Sequence, residues 1–115
     1  MIERFGQGKY FHRAVALNGV LYLSGITASD TTAGMRGQTE QILAKTSDLL
    51  TELGSDKSRV LAATIYITDM AMKDQMNEAW TAFFGPADLP ARATLGVKDL
   101  GQGILIEVMV TAAAS

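Results

Sequence analysis

The apolar positions of this chain follow two different periods, and the change between them predicts its secondary structure. Residues 14–17 and 20–24 are mostly apolar runs on either side of Asn18-Gly19, a pair that readily adopts positive φ and is typical of a two-residue hairpin turn. Over residues 35–53 the apolar positions recur every three or four residues, and Gly54 follows as a stop signal. The pattern predicts a β-hairpin followed by an amphipathic helix.

The second half of the chain predicts three strands and one more helix. Residues 60–68 are nearly all apolar or β-branched, which favours a strand covered on both faces. Asp69 is a suitable cap for a second helix, whose apolar stripe continues to Phe83. Residues 92–97 and 104–112 are two further predicted strands. The predicted order is ββαβαββ, an α+β fold with a mixed sheet and both helices on one face.

The other face of this sheet also needs a cover. Two helices can shield only one face, yet the strands predicted at 60–68 and 104–112 are apolar on both faces. A second copy of the same chain is the simplest cover, so we expect a homo-oligomer packed through its sheets.

Composition narrows the class of protein. With 115 residues and 48% hydrophobic content, residues 1–115 are expected to form one domain, and no apolar run approaches the roughly twenty residues of a membrane span. The first eight residues lack the features of a secretory signal, so we expect a cytoplasmic protein. The chain has no cysteine and one histidine, His12, which argues against a metal site. A net charge of -2 without a dense basic cluster argues against a nucleic-acid partner.

A charge inside an apolar strand is the strongest chemical signal. Glu107 interrupts the apolar run 104–110, where a carboxylate loses hydration at a cost of several kcal/mol unless a partner or a water meets it. Arg92 follows Pro90 at the start of the preceding strand, and its planar guanidinium suits a carboxylate. Two interpretations stay open: a structural ion pair, within or between subunits, and a site for a small carboxylate substrate.

Six short motifs, spread over nearly the whole chain, carry a resemblance to a known family. They are Leu23-Ser24-Gly25, Gln38-Thr39, Leu53-Gly54-Ser55, Ala63-Thr64-Ile65-Tyr66-Ile67 with Asp69, Met76-Asn77-Glu78-Ala79-Trp80 with Phe83, and Pro90-Ala91-Arg92 with Glu107. Each motif is weak alone, but the ordered set is specific. With this set the chain resembles the Rid family, also called the YjgF/YER057c/UK114 family.

The resemblance implies a fold, an assembly and an activity. It implies a chorismate-mutase-like fold, a homotrimer packed through its sheets and ligand clefts between subunits. It also implies hydrolysis of reactive 2-imino or enamine acids, such as 2-aminoacrylate, to 2-keto acids and ammonia, without a cofactor or a metal. Arg92 would then hold the substrate carboxylate, and Glu107 would pass protons for the attacking water and the departing amine. A non-catalytic trimer that binds small carboxylates is the alternative, and a ribonuclease or translation inhibitor is a less favoured one.

Five further residues are expected near the ligand. Ser24 ends a strand, and Asn77 matches an asparagine in the second helix of the family; their alternative roles are a satisfied hairpin hydroxyl and a solvated amide. Thr94 stands where the best-known branch has a cysteine. An aromatic residue is expected to form a wall of the cleft. Ungapped counting from Ser24 gives Phe11, whereas a one-residue shift gives Tyr10 and restores a tyrosine of that branch.

Overall fold

Six strands form one mixed sheet in the computed structural model, which describes residues 1–115. The strands are β1 (Glu3–Gln7), β2 (His12–Leu17), β3 (Val20–Leu23), β4 (Val60–Ile67), β5 (Ala91–Gly96) and β6 (Ile106–Ala113), and the helices are α1 (Met35–Glu52) and α2 (Lys73–Phe84). The order across the sheet is β1-β2-β3-β6-β4-β5. Only β4 and β5 are parallel neighbours. The predicted α+β fold with a mixed sheet is confirmed.

The structure adds one strand to the predicted order, which becomes βββαβαββ. Strand β1 pairs antiparallel with β2, with Phe5 opposite Ala14 and Gln7 opposite His12. Phe5 is the only apolar residue of β1, and the other four are exposed at the edge of the sheet. This strand is therefore held in the sheet by its pairing with β2, and its sequence lacks the alternation of apolar and polar residues that would predict a strand.

The predicted turns and caps lie close to their expected places. The β2–β3 hairpin turns at Asn18 and Gly19, with φ of 52° and 77°. Asp69 caps a short 3-10 turn by accepting a hydrogen bond from the Ala71 amide at 2.9 Å, so α2 itself begins one turn later than predicted. Gly85 ends α2 with φ of 73°. Neither helix is long and apolar enough to cross a membrane.

The two faces of the sheet have different surroundings. Ile65 of β4 and Val108 of β6 are fully buried under the helices. Side chains alternate along a strand, so the residues before and after each of these two point to the opposite face. That open face carries Tyr22 and Met109, which are 51% and 43% exposed, and Leu61 beside them is 50% exposed. The apolar open face expected from the sequence is present.

A buried glutamine connects α1 to the segment that leads into β6. Gln38 is fully buried, and its Nε2 donates hydrogen bonds to the carbonyls of Ala33 at 3.0 Å and Gly103 at 2.9 Å. Its Oε1 accepts a hydrogen bond from the Leu105 amide at 3.0 Å. Leu105 lies two residues before Glu107, so Gln38 fixes the entry to the strand that holds the candidate carboxylate.

We expect Gln38→Leu to lower the free energy of unfolding by about 2–4 kcal/mol, because it removes the partner of the partly buried Leu105 amide and of the Ala33 and Gly103 carbonyls. Urea denaturation followed by circular dichroism measures the change. Gln75→Leu is the matched control, since Gln75 is an exposed glutamine of α2. Equal effects of the two substitutions would contradict this role of Gln38.

Candidate functional site

Arg92 lies on β5 and faces the helices. Its partner across the parallel β4–β5 pair is Ala63, which is buried on the helix side of the sheet. The Arg92 guanidinium carbon lies 5.4 Å from the centre of the Trp80 ring, and Nη1 donates a hydrogen bond to Met76 Sδ at 3.7 Å. Trp80 and Met76 belong to α2. A cation–π contact and a weak sulfur acceptor therefore hold the arginine from one side.

The charge of Arg92 has no partner within the chain. The chain has four ion pairs: Arg13–Glu52, Arg36–Glu40, Arg36–Glu78 and Arg59–Asp56. Partial burial lowers the pKa of Arg92, because it removes water from the charged form. An arginine nevertheless remains charged at neutral pH. Arg92 thus presents a charged guanidinium whose N–H groups bond no protein oxygen, and an Arg92–Glu107 ion pair within one chain is excluded.

Thr94 offers an unused hydroxyl beside Arg92. It lies two residues further along β5, so the two side chains share a face about 7 Å apart. Thr94 Oγ1 is buried and has no hydrogen-bond partner in the chain. Buried hydroxyls are nearly always bonded, and an unbonded one costs about 1–3 kcal/mol. Thr94 therefore has bonding capacity that no group of this chain uses.

Asn77 of α2 lies on the same side as Arg92. It precedes Trp80 by three residues, and residues at this spacing share a helix face. Its side chain is partly buried and takes part in no hydrogen bond, while its backbone carbonyl accepts one from Thr81 Oγ1 at 3.0 Å. We call Asn77, Trp80, Arg92 and Thr94 the arginine half-site.

Glu107 lies on the opposite face of the sheet. It pairs with Tyr66 across β4 and β6, while its neighbours Ile106 and Val108 are fully buried on the helix side. Its side chain is partly exposed and takes part in none of the four ion pairs. The carboxylate lies against Gly25, close to the place that a side chain at position 25 would occupy. Glu107 is therefore a carboxylate that no cation of its own chain neutralises.

Ser24 and Phe11 lie beside Gly25 on an open groove. The groove has a volume of about 520 Å³, and Lys45, Asp48 and Glu52 of α1 form part of its wall. Tyr10 does not line it and is 84% exposed. Of the two aromatic candidates, Phe11 is therefore the one that lines the same groove as Ser24. We call Phe11, Ser24, Gly25 and Glu107 the glutamate half-site.

The two half-sites do not meet within one chain. Residues paired across neighbouring strands share a face, so Arg92 shares the face of Ala63, whereas Glu107 shares that of Tyr66. Ala63 and Tyr66 are three residues apart in β4 and therefore point to opposite faces. Each half-site offers one unpartnered charge.

Gly25 and Trp80 belong to the two half-sites, although the sequence does not single them out for such a role. Both stand inside the motifs that carry the family resemblance. The sequence gives one indication for Gly25: this glycine directly follows a predicted strand, and the residues around it are not typical of a turn. Trp80 lies on the apolar stripe of α2, and its side chain is buried in the core. Its contact with Arg92 depends on how α2 packs on β5, which the sequence of α2 alone does not contain.

Comparison with known proteins gives one consistent result. Residues 1–114 match the family model described as Endoribonuclease L-PSP. A RutC family protein of Haemophilus ducreyi is 32% identical over 113 residues, which cover 98% of this chain and 97% of that protein. Reactive Intermediate Deaminase A, chloroplastic, of Arabidopsis thaliana is 32% identical over 104 residues, which cover 85% of this chain and 55% of that protein.

A solved structure agrees with the sequence matches. The crystal structure of a YjgF family member from Neisseria meningitidis superposes with a TM-score of 0.92 at 33% identity, covering 100% of this chain and 96% of that one. The family model matches residues 1–114 and this structure covers the whole chain, so both include the strands and helices that carry the two half-sites. The chain therefore belongs to the endoribonuclease L-PSP family, which is also called the YjgF/YER057c/UK114 or Rid family.

Proposed function

We propose that this protein hydrolyses reactive 2-imino acids and their enamine tautomers to 2-keto acids and ammonia. The reaction takes place in clefts of a homotrimer, where the arginine half-site of one subunit meets the glutamate half-site of the next. One observation carries the proposal: Arg92 and Glu107 lie on opposite faces of the sheet, and neither has an ion-pair partner in its own chain.

The arrangement of the half-sites suits a ring of subunits. A cyclic assembly of three copies uses a heterologous interface, in which one patch of each copy contacts a different patch of the next. An arginine on one face and a glutamate on the other provide two such patches. The half-exposed Tyr22, Leu61 and Met109 on the open face supply apolar area for the contact.

Arg92 is suited to bind and orient the substrate. A 2-imino acid carries a carboxylate next to the carbon of its C=N bond. A guanidinium can donate two parallel hydrogen bonds to that carboxylate, which fixes the direction of the reacting carbon. Trp80 and Met76 contact the guanidinium from α2 and leave its other N–H groups to the ligand.

Glu107 is suited to move protons. As water attacks the carbon of the protonated imine, the Glu107 carboxylate accepts a proton from that water, and a neutral carbinolamine forms. The protonated Glu107 then returns this proton to the carbinolamine nitrogen, the C–N bond breaks, and ammonia leaves while the hydroxyl passes its proton to the Glu107 carboxylate to give the keto acid. General acid–base help of this kind contributes about 10²- to 10⁴-fold in rate. Imines hydrolyse readily in water, so this contribution suffices.

The remaining predicted residues are proposed to shape the cleft. Thr94 and Asn77 lie beside Arg92 and offer a hydroxyl and an amide to the substrate or to water. Ser24 and Phe11 line a groove together with Gly25, against which Glu107 lies, and are proposed to form a polar and an aromatic wall. Thr94 has no thiol, so the proposed chemistry uses none.

Two other functions are compatible with membership of the family. A non-catalytic binder of small carboxylates would need Arg92 but no base, and a carboxylate in the otherwise apolar strand β6 argues for catalysis. The family model is described as an endoribonuclease. Binding of RNA depends on basic groups that neutralise phosphates, and a net charge of -2 without a dense basic cluster does not favour it.

We expect Arg92→Ala to lower kcat/KM for imino acid hydrolysis by about 100-fold, because a pair of hydrogen bonds to a charged group is lost. Imines generated in the cuvette by an amino-acid oxidase serve as substrates, and released keto acid is the readout. Arg36→Ala is the control, since Arg36 pairs with Glu78 on the helix surface. Equal rates for wild type and Arg92→Ala would refute the role of Arg92.

We expect Glu107→Gln to lower kcat by about 10²- to 10⁴-fold while a 2-keto acid product still binds, because the amide keeps the shape of the side chain but is no base. Steady-state kinetics and calorimetric titration with the keto acid give the two quantities. Glu40→Gln on the surface of α1 is the control. Unchanged turnover in Glu107→Gln would make this carboxylate structural, and the protein could then still be a binder.

A further inference from the structure

Gly25 occupies a position where the absence of a side chain matters to Glu107. We propose that Gly25 is a positioning residue: the space left by its missing side chain holds the Glu107 carboxylate and so sets the place of the proton-transferring group. This inference rests on the proposed function, in which Glu107 handles protons.

The geometry at Gly25 leaves no room for both groups. A Cβ atom built on its backbone would overlap Glu107 Oε2, and it would lie 2.9 Å from Cδ and 3.2 Å from Cγ of the same side chain. Carbon atoms in van der Waals contact lie about 3.5–4.0 Å apart. The volume that a methyl group at position 25 would need is therefore filled by the carboxyl end of Glu107.

The backbone at this position does not itself require glycine. Gly19 and Gly54 have φ of 77° and 79°, a region that L side chains rarely adopt, and nothing lies near their Cβ positions. Gly25 is not among the residues with positive φ. An alanine could take the same backbone conformation, so the reason for glycine here is space.

The strands on both sides hold the backbone at residue 25 in place. Ile26 and Val108 exchange two backbone hydrogen bonds, of 2.9 Å and 3.1 Å, and the Ser24 amide donates to the Arg13 carbonyl at 2.9 Å. Glu107, by contrast, has a flexible side chain that no ion pair restrains. A methyl group at position 25 would therefore displace the carboxylate and leave the strands where they are.

A different role for Gly25 makes a different prediction. If glycine is needed to let the substrate approach the backbone, alanine weakens substrate binding whatever residue stands at position 107. If glycine is needed to seat the carboxylate, alanine lowers kcat and its effect depends on Glu107. The two roles therefore predict different changes in KM and in kcat, and a different effect of alanine when Glu107 is also replaced.

The test compares Gly25→Ala with Gly34→Ala, each also combined with Glu107→Gln. Gly34 is the matched control, because its φ is -76° and nothing lies within 4 Å of its Cβ position. We expect Gly25→Ala to lower kcat at least about tenfold, with KM within about twofold of wild type and the same Tm. Gly34→Ala keeps wild-type kinetics. In the Glu107→Gln background, Gly25→Ala causes no further loss.

A second readout does not depend on turnover. We expect the ¹³C resonance of the Glu107 carboxyl carbon to move in Gly25→Ala and to stay in place in Gly34→Ala. The inference is overturned by an unchanged resonance, by wild-type kcat in Gly25→Ala, or by an equal loss with Glu and with Gln at position 107. If the wild-type protein hydrolyses no imine, the proposed function fails, and the resonance still decides whether Gly25 seats the carboxylate.

Discussion

The rest of this structure depends on one constraint, the alternation of side chains along the strands. Helices cover only one face of the sheet, so this alternation decides which side chains are buried. In β4 it buries Ala63, Ile65 and Ile67 under the helices and turns Tyr66 outward. The pairing of β4 with β5 and β6 carries the same division to both neighbours, so Arg92 faces α2 and Glu107 faces the open side. Two charges within fifteen residues of each other in the sequence are thereby separated by the thickness of the sheet.

Each charge is held by a different kind of neighbour. Arg92 lies against the aromatic ring of Trp80 and the sulfur of Met76, which contact it without neutralising it. Glu107 lies in the space over Gly25, in a strand whose entry is fixed by the buried Gln38. Neither environment neutralises the charge, so each charge remains available to a group from outside the chain. In the proposed trimer, two subunits would bring both charges to a substrate that carries a carboxylate beside an electrophilic carbon.

Elements with a strong local pattern could be predicted from the sequence. The hairpin turn at Asn18 and Gly19 and the helix α1 follow from local preferences alone, and their bounds agree with prediction to within a residue or two. Strand β1 has one apolar residue and forms because it pairs with the edge of β2, so its own sequence does not predict a strand. Gln38 is polar yet buried, and residue type alone would place it at the surface.

Most residues of the candidate site could be named from the sequence, but their geometry could not. Spacing and chemistry singled out Arg92 and Glu107. The face that each one takes depends on the register of β4 against β5 and β6, which tertiary pairing fixes. The choice between Tyr10 and Phe11 likewise depends on the turn in which the Gly8 amide donates to the Phe11 carbonyl at 2.9 Å. The ion-pair interpretation is wrong only for a pair within one chain, where the register keeps Arg92 and Glu107 on opposite faces.

The central claim is that one active site takes Arg92 from one chain and Glu107 from another. The most direct measurement is the activity of mixed oligomers, made by unfolding Arg92→Ala and Glu107→Gln chains together and refolding them, with native mass spectrometry to verify that mixed species form. Each variant alone should keep no more than about 1% of the wild-type activity. In a heterologous ring, an equal mixture should recover about one quarter of the wild-type sites, since half of the chains supply each intact residue. Mixed oligomers without any recovered activity would contradict the account.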